Sequence, residues 1–217
     1  MTIVKGLKNI NALVDKPKYE GTGTKVRWLK LADGQAVKLR FIEELDDESA
    51  NYSADRGLAL VVKEHTNPKD YKRRALDTME TEGRDWAEEM HRKDPKAGWR
   101  GRLRFYCNVL VDDGVEEPYA AIWAMGISKQ SAFNTIREYA LETGSISNLS
   151  WKLKRNGQGT ETSYTLIPGS PDKEPFDWSK ETPFPLEKAL NKIPYAEQEA
   201  FYLGFDTPGN SATNIDW

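Results

Sequence analysis

In the run RGRLRFYCNVLVDD (residues 100–113), alternate positions sort by chemistry. Strand side chains alternate with a period of two. Leu103, Phe105, Cys107, Val109 and Val111 therefore share one face, and Arg102, Arg104, Tyr106 and Asn108 the other. The first face reads as core. The second sets guanidinium groups beside an aromatic ring. Cations neutralise phosphates and release counterions, and a ring stacks on a base. The pairing suits a flexible polyanion with flat bases, which is single-stranded nucleic acid. The same apolar-in, basic-out order recurs around Arg27 and Trp28, at Lys38 and Arg40 between Val37, Leu39 and Phe41, and at Lys152 and Lys154 between Trp151 and Leu153. Candidate groove residues are Arg27, Trp28, Lys38, Arg40, Arg102, Arg104, Tyr106, Trp123, Lys152, Lys154 and Arg155. Any one of these cations also suits a solvated outer face, and Trp28, Trp123 and Trp151 also suit the core. Four strands repeating the pattern favour the groove for the set.

Bond-making chemistry finds less support. The chain has no phosphate-binding glycine loop, no Gly-x-Ser-x-Gly and no His-Glu-x-x-His. Asn156-Gly157-Gln158-Gly159 reads as a hairpin tip rather than a phosphate cradle. The charged stretch 65–100 holds His65, Asp77, Asp85, Glu88 and His91, and oxygen and nitrogen ligands in one loop can hold a metal. In so charged a segment, acids at these spacings are expected by chance. The enzymatic alternative is a metal-dependent nuclease with Asp77, Asp85 and Glu88 around a divalent ion beside the basic groove. The expectation is that the protein is not an enzyme.

The elements that position these residues follow from pattern and punctuation. Residues 1–20 read as a basic amphipathic arm, with Ile3, Leu7, Ile10 and Leu13 at helical spacing and Lys5, Lys8, Lys16 and Lys18 around them. Pro17 ends it, and residues 21–24 form a joint. Strands are predicted over 25–31, 36–45, 58–64, 101–112, 118–125, 151–155 and 162–167, with a turn at Asp33-Gly34. A helix is predicted over 129–142, with Ser128 as its N-cap and Gly144 as its stop. Residues 65–100 read as a long charged insertion with helix near 81–92. Beyond Pro168, prolines and acids dominate, with short helices at 186–191 and 196–202 and a disordered end. The predicted fold is mainly β. It is an OB-fold five-stranded barrel with a long charged α/loop insertion and a helical, then disordered, C-terminal tail. The segments are an arm and joint (1–24), a core (25–170, with the insertion at 65–100) and an acidic tail (171–217).

At 217 residues the chain can bury a real core. No apolar run approaches the roughly 20 residues of a membrane helix, so no membrane partner is expected. The start is too polar for a secretory signal. Cys107 is the single cysteine; it suits a reducing cytosol and reads as a core thiol. The net charge of -3 is unevenly spread: residues 1–45 carry nine Lys/Arg against five Asp/Glu, and residues 171–217 four Lys against nine Asp/Glu. A basic body with a detachable acidic tail can bind phosphate despite a negative total. Asp216 and Trp217 close the chain with an acid and an aromatic, a hook for partner proteins.

Several longer runs carry a resemblance. VRWLKLADGQAVKLRF (26–41), EHTNPKDYKRRAL (64–76), DPKAGWRGRLRFYCNVLVDDG (94–114), KRNGQGTETSYTL (154–166) and EQEAFYLGFD (197–206) resemble the single-stranded DNA-binding proteins of tailed bacteriophages, the T4-like type and its relatives in phages of actinobacteria. The resemblance implies an OB-type core, a basic arm with Lys5 and Lys8 for cooperative self-contacts along DNA, and an acidic tail for replication and recombination partners. It implies a protein that coats single-stranded DNA during phage replication, recombination and repair, in the cytoplasm of the bacterial host. The family often holds a structural zinc through one His and three Cys of the insertion. This chain has His65, Asp77, Asp85 and Glu88 at that spacing, each Cys replaced by an acid. Zinc prefers thiolates in closed sites. The expectation is therefore no cofactor and an insertion held by pairing with Arg73, Arg74 and Arg84. The non-enzymatic alternative is a protein-interaction OB module without DNA affinity.

Overall fold

The computed structural model describes residues 26–205, Pro175 excepted. The arm residues Lys5 and Lys8, the joint and the end residues Asp216 and Trp217 lie outside the described residues.

The fold is mainly β, one antiparallel sheet of seven strands: β1 (Ala36–Phe41), β2 (Leu60–Asn67), β3 (Asp70–Leu76), β4 (Arg102–Asp112), β5 (Tyr119–Gly126), β6 (Leu149–Asn156) and β7 (Ser163–Pro171). The helices are α1 (Met79–Glu82), α2 (Trp86–Lys93), α3 (Ala132–Thr143) and α4 (Tyr195–Leu203). The long strand β4 organises the rest. One of its edges pairs with β5, from Arg104↔Gly126 to Val111↔Tyr119. The other is shared in succession by β2, at Arg102–Tyr106, and by β1, at Val109–Asp112. β1 continues to β6, and β6 to β7.

The inner face of β4 behaves as the alternation predicts. Phe105, Cys107, Val109 and Val111 are buried with Leu39 and Phe41 of β1, Trp123 of β5, and Trp151 and Leu153 of β6. Trp123 of β5 meets Tyr164 of β7 edge-on, with ring centroids 5.8 Å apart. The edge strands β5 and β7 thus approach through side chains. Among the described residues no ladder joins β5 to β7, so in place of the expected five-stranded barrel the seven strands form an open, curled sheet. Helix α3 fills the mouth of the curl, with Ile136 buried, Phe133 against Phe105 at 5.3 Å and Tyr139 against Trp151 at 4.9 Å. It begins one turn later than predicted, with Ser131 as N-cap. It ends at Gly144, whose φ of 77° lets its N–H return to Ala140 O at 2.8 Å.

Three further expectations change. Residues 26–31 form a single bridge, Trp28↔Ile122, in place of a strand. The insertion contains a full strand, β3, whose sequence DYKRRAL hides it among charges. The acidic C-terminal segment is not detached over its described part. It crosses the outer face of the sheet and ends as α4 against the insertion. There Trp86, Trp99 and Tyr202 form an aromatic cluster with centroids 5.1–5.9 Å apart, next to buried Ala75, Ala87 and Ile193.

Candidate nucleic-acid interface

The outer face of β4 holds the first candidates, and it is covered. Tyr106 is 1 % exposed and packs with Ile122, Leu186 and Ala189, while Trp28 lies edge-on to it at 6.2 Å. Its hydroxyl donates to the buried Glu64 carboxylate at 2.9 Å. Burial raises the tyrosine pKa to about 12, with the nearby Glu64 charge adding to the effect. Burial likewise raises Glu64, against the pull of Arg74 and Arg104, whose Nε atoms lie 3.8 and 3.4 Å from Oε2. Asn108 is fully buried: its side chain donates to Phe184 O at 2.9 Å, and its Oδ1 accepts from Phe184 N–H at 3.0 Å. Trp123, on the inner face, is also 1 % exposed. Tyr106 and Trp123 are therefore core residues in place of the expected base-stacking groups. An aromatic alternating with cations is equally at home under an apolar strap, and residues 184–190 supply that strap.

Arg40 is taken up in the same way. It is 7 % exposed, pairs with both carboxylate oxygens of Asp172, donates to Ser147 O at 3.2 Å and to Ser150 Oγ at 3.1 Å, and lies 4.5 Å from the Phe176 ring. Arg155 donates to Leu31 O at 2.6 Å and Thr162 Oγ1 at 3.0 Å. Arg27 is exposed but pairs with Glu116 and stacks 3.2 Å from the Tyr119 ring centre. Of the expected set, Arg102, Lys38, Lys152 and Lys154 remain exposed and make no ion pair among the described residues.

Arg102 lines a cleft of about 760 Å³ where the curl fails to close. Its walls are Arg100 and Gly101 with the start of β4 (Arg102 and Leu103), the end of β5 with Ser128 and Gln130, the N-terminal end of α3, and Thr162, Ser163 and Tyr164 around the start of β7. Arg100 is exposed there as well and makes no ion pair among the described residues. Leu103, which the alternation assigns to the core, is 49 % exposed because it lies on this floor. The cleft thus offers two free guanidinium groups, a half-buried aromatic edge, an apolar floor and hydroxyl donors. Arg100 and Tyr164 were missed among the candidates. Arg100 stands just outside its strand, and Tyr164 shares the inward face of β7 with Leu166 and so reads as core.

The four insertion positions do converge. His65 is fully buried. Its Nδ1–H donates to Trp99 O at 2.7 Å, and its Nε2 lies 3.0 Å from Asp77, 3.6 Å from Asp85 and 3.8 Å from Glu88. The donor set does not fit a closed structural zinc site. It offers no thiolate. Asp85 is spent as the N-cap of α2. It accepts from Glu88 N–H at 2.8 Å, Thr78 N–H at 3.1 Å and Gln198 Nε2 at 3.0 Å. The Lys63 ammonium lies 2.7 Å from Asp77 and 3.6 Å from Glu88, where it already supplies positive charge. Burial pushes the Asp77 carboxyl up, but Lys63 and its other donors bring it below its ordinary value. Gly101 makes the packing possible, since a Cβ there would lie 2.5 Å from Lys63 Cε and 2.9 Å from His65 Cε1. Arg84 pairs with Glu89 and Arg73 with Asp70, while Arg74 lies beside Glu64.

Two buried glutamates carry no sequence signal beyond following an apolar strand. Glu43 accepts from Asn108 N–H at 2.6 Å and from the Cys107 thiol at 3.1 Å; burial raises its pKa to about 7. Glu44 accepts from Ser145 and Ser147 hydroxyls, each at 2.6 Å, and so ties the loop after α3 to β1. Cys107 is a buried thiol whose pKa burial pushes up.

The chain matches no known family model, no curated protein and no solved structure. Among the described residues, no helix is long and apolar enough to cross a membrane.

Proposed function

We propose that the protein binds single-stranded DNA, with little sequence preference and without bond chemistry, and that the cleft at the open edge of the curl is its base-binding site. The observation that carries this reading is the pair Arg100 and Arg102. The sheet's other arginines have protein partners; these two stand free beside Tyr164 and an apolar floor. Phosphates on the guanidinium groups and bases against the floor and ring would use each feature. We read the curled sheet as OB-type, with β4 pairing two successive strands on one edge and α3 plugging the mouth. A coating role in phage replication, recombination and repair, self-contacts along DNA, replication partners and the host cytoplasm rest on the sequence resemblance. The insertion is proposed to be held by ion pairs and the Asp85 cap, with no cofactor.

The test is intrinsic fluorescence titrated with oligo(dT) across a salt series, against matched duplex. Quenching by single strands that weakens as salt rises is expected. A flat response at low salt contradicts the reading and leaves the protein-interaction module in front.

A specific observation keeps the nuclease reading alive: Asp77 and Glu88 converge, and a Cβ built on Gly101 of the cleft wall would meet Lys63 and His65. Against it, Lys63 neutralises the acids and Asp85 is saturated by protein donors. Magnesium-dependent cleavage of single-stranded DNA, lost in Asp77→Asn, would establish it.

A further inference from the structure

The outer face of the β1–β6–β7 ladder carries three lysines, of which Lys38 also lies opposite Asp112 of β4, an acid that lines the same groove. Lys38 and Lys152 are direct partners across β1 and β6, and Lys154, two residues along, lies opposite Ala36. All three are exposed, and none makes an ion pair among the described residues. Like charges directly opposed across a ladder are destabilising. The same sheet pairs Arg40 with Asp172 and Arg104 with Glu64, so unpaired cations are not its general habit. Beside the lysines lies an open groove of about 550 Å³ that includes Ile167 and Pro168; Ile167, the cross-strand partner of Lys152, is 52 % exposed. No aromatic ring is exposed there: Trp151, which borders the groove, is buried.

The position of this face relative to the cleft matters as much as its charge. β7 pairs only with β6 among the described residues, so it is a sheet edge. Tyr164 near its start borders the cleft, and Thr165 and Ile167 lie opposite Lys154 and Lys152. A chain leaving the cleft over this edge meets the lysines next. Lys152 and Lys154 are about 6.6 Å apart along the strand, a spacing suited to successive phosphates of a stretched single strand.

We propose that the interface has two parts. The cleft takes bases and phosphates of a short segment, and the Lys38–Lys152–Lys154 face takes only phosphates of the nucleotides that follow. This rests on the cleft being a single-strand site, and strand length separates the two claims. Labelled oligo(dT) of about 4 and about 16 nucleotides, the range of OB-type site sizes, is titrated by anisotropy at several salt concentrations. Three proteins are compared: the unaltered chain, the triple variant Lys38→Ala, Lys152→Ala, Lys154→Ala, and the variant Arg100→Ala, Arg102→Ala. The unaltered chain should bind the long strand more tightly and with a steeper salt slope. The triple variant should bind the short strand as before and lose roughly tenfold on the long one, with its salt slope there lower by about 2. The arginine variant should weaken on both lengths. Unchanged long-strand binding by the triple variant, or equal losses on both lengths, overturns the two-part interface. Binding of long strands alone, sensitive to the lysines and not to the arginines, sinks the cleft reading and keeps the lysine face. No binding of either length by the unaltered chain rejects both. The lysines are exposed and their truncation relieves the repulsion of the opposed pair, so the triple variant should melt no lower than the unaltered chain, and a folding defect cannot imitate the result.

Discussion

On the outer face of β4, Tyr106 and Asn108 lie beneath the C-terminal segment; on the outer face of β6, Lys152 and Lys154 lie open. Both strands alternate apolar and basic residues, and both bury their inner face in the same core. The difference comes from what reaches them. Residues 184–190 bring Phe184, Leu186 and Ala189 onto β4, and Asp172 and Phe176 reach Arg40, while nothing among the described residues crosses Lys152. An apolar-in, basic-out strand therefore specifies one buried face. The fate of the other depends on a distant segment. On the covered side, cations became paired supports of a second small core. On the open side and in the cleft, they stay exposed and make no ion pair among the described residues.

The sharpest way to break this contrast is to treat Tyr106 as a surface residue. Tyr106→Ala should cost about 3–5 kcal/mol in urea unfolding, as truncation of a buried aromatic does, and Trp123→Ala a similar amount. A variant of either that unfolds like the unaltered chain and loses only DNA affinity would return that ring to the interface.

Glu43 offers a pH test of the covered side. Its carboxyl titrates near 7 when folded against 4.5 in its ordinary state. An acid that holds its proton more tightly when folded adds stability in full below the unfolded value. It loses that contribution as pH rises through the folded one. Stability should fall between about pH 4.5 and 7 by on the order of 3 kcal/mol, and Glu43→Gln should remove that part of the slope whatever it does to stability at one pH. A slope unaltered in Glu43→Gln would place the proton elsewhere.

On the open side the effects are smaller and of a different kind. Arg102→Ala should leave the melting temperature unchanged and lower the salt slope of oligo(dT) binding by about 0.7, one phosphate contact. A fall in stability instead would show that Arg102 belongs with the paired arginines. The smallest expected effect is none: a chelator should not move the melting transition, because Lys63 and the Asp85 cap hold the insertion. A large downward shift would mean that a metal stands where the donor set argues against one.

Much of this was legible in the residues. The inner faces of β4 and β6, the helix ending at Gly144 and the hairpin of β6 with β7 follow from period and punctuation. The spacing of His65, Asp77, Asp85 and Glu88 marked positions that do meet in space. The covering of Tyr106 was hidden, because PFPLEKAL is short and interrupted by Pro183 and Pro185, so its apolar residues follow neither a strand nor a helix period and it reads as tail. β3 was hidden because a short strand next to α4 and a glutamate-rich neighbourhood can carry Lys72, Arg73 and Arg74. The cleft depends on the curl staying open, and local pattern does not encode closure.

The central claim is that single strands occupy the open edge and leave the covered face covered. Amide hydrogen exchange with and without oligo(dT) tests it most directly. The account predicts new protection at residues 100–103 and 162–165, with 106–108 and 184–190 unchanged. Protection confined to 106–108, or faster exchange at 184–190 as the strap is displaced, would contradict it.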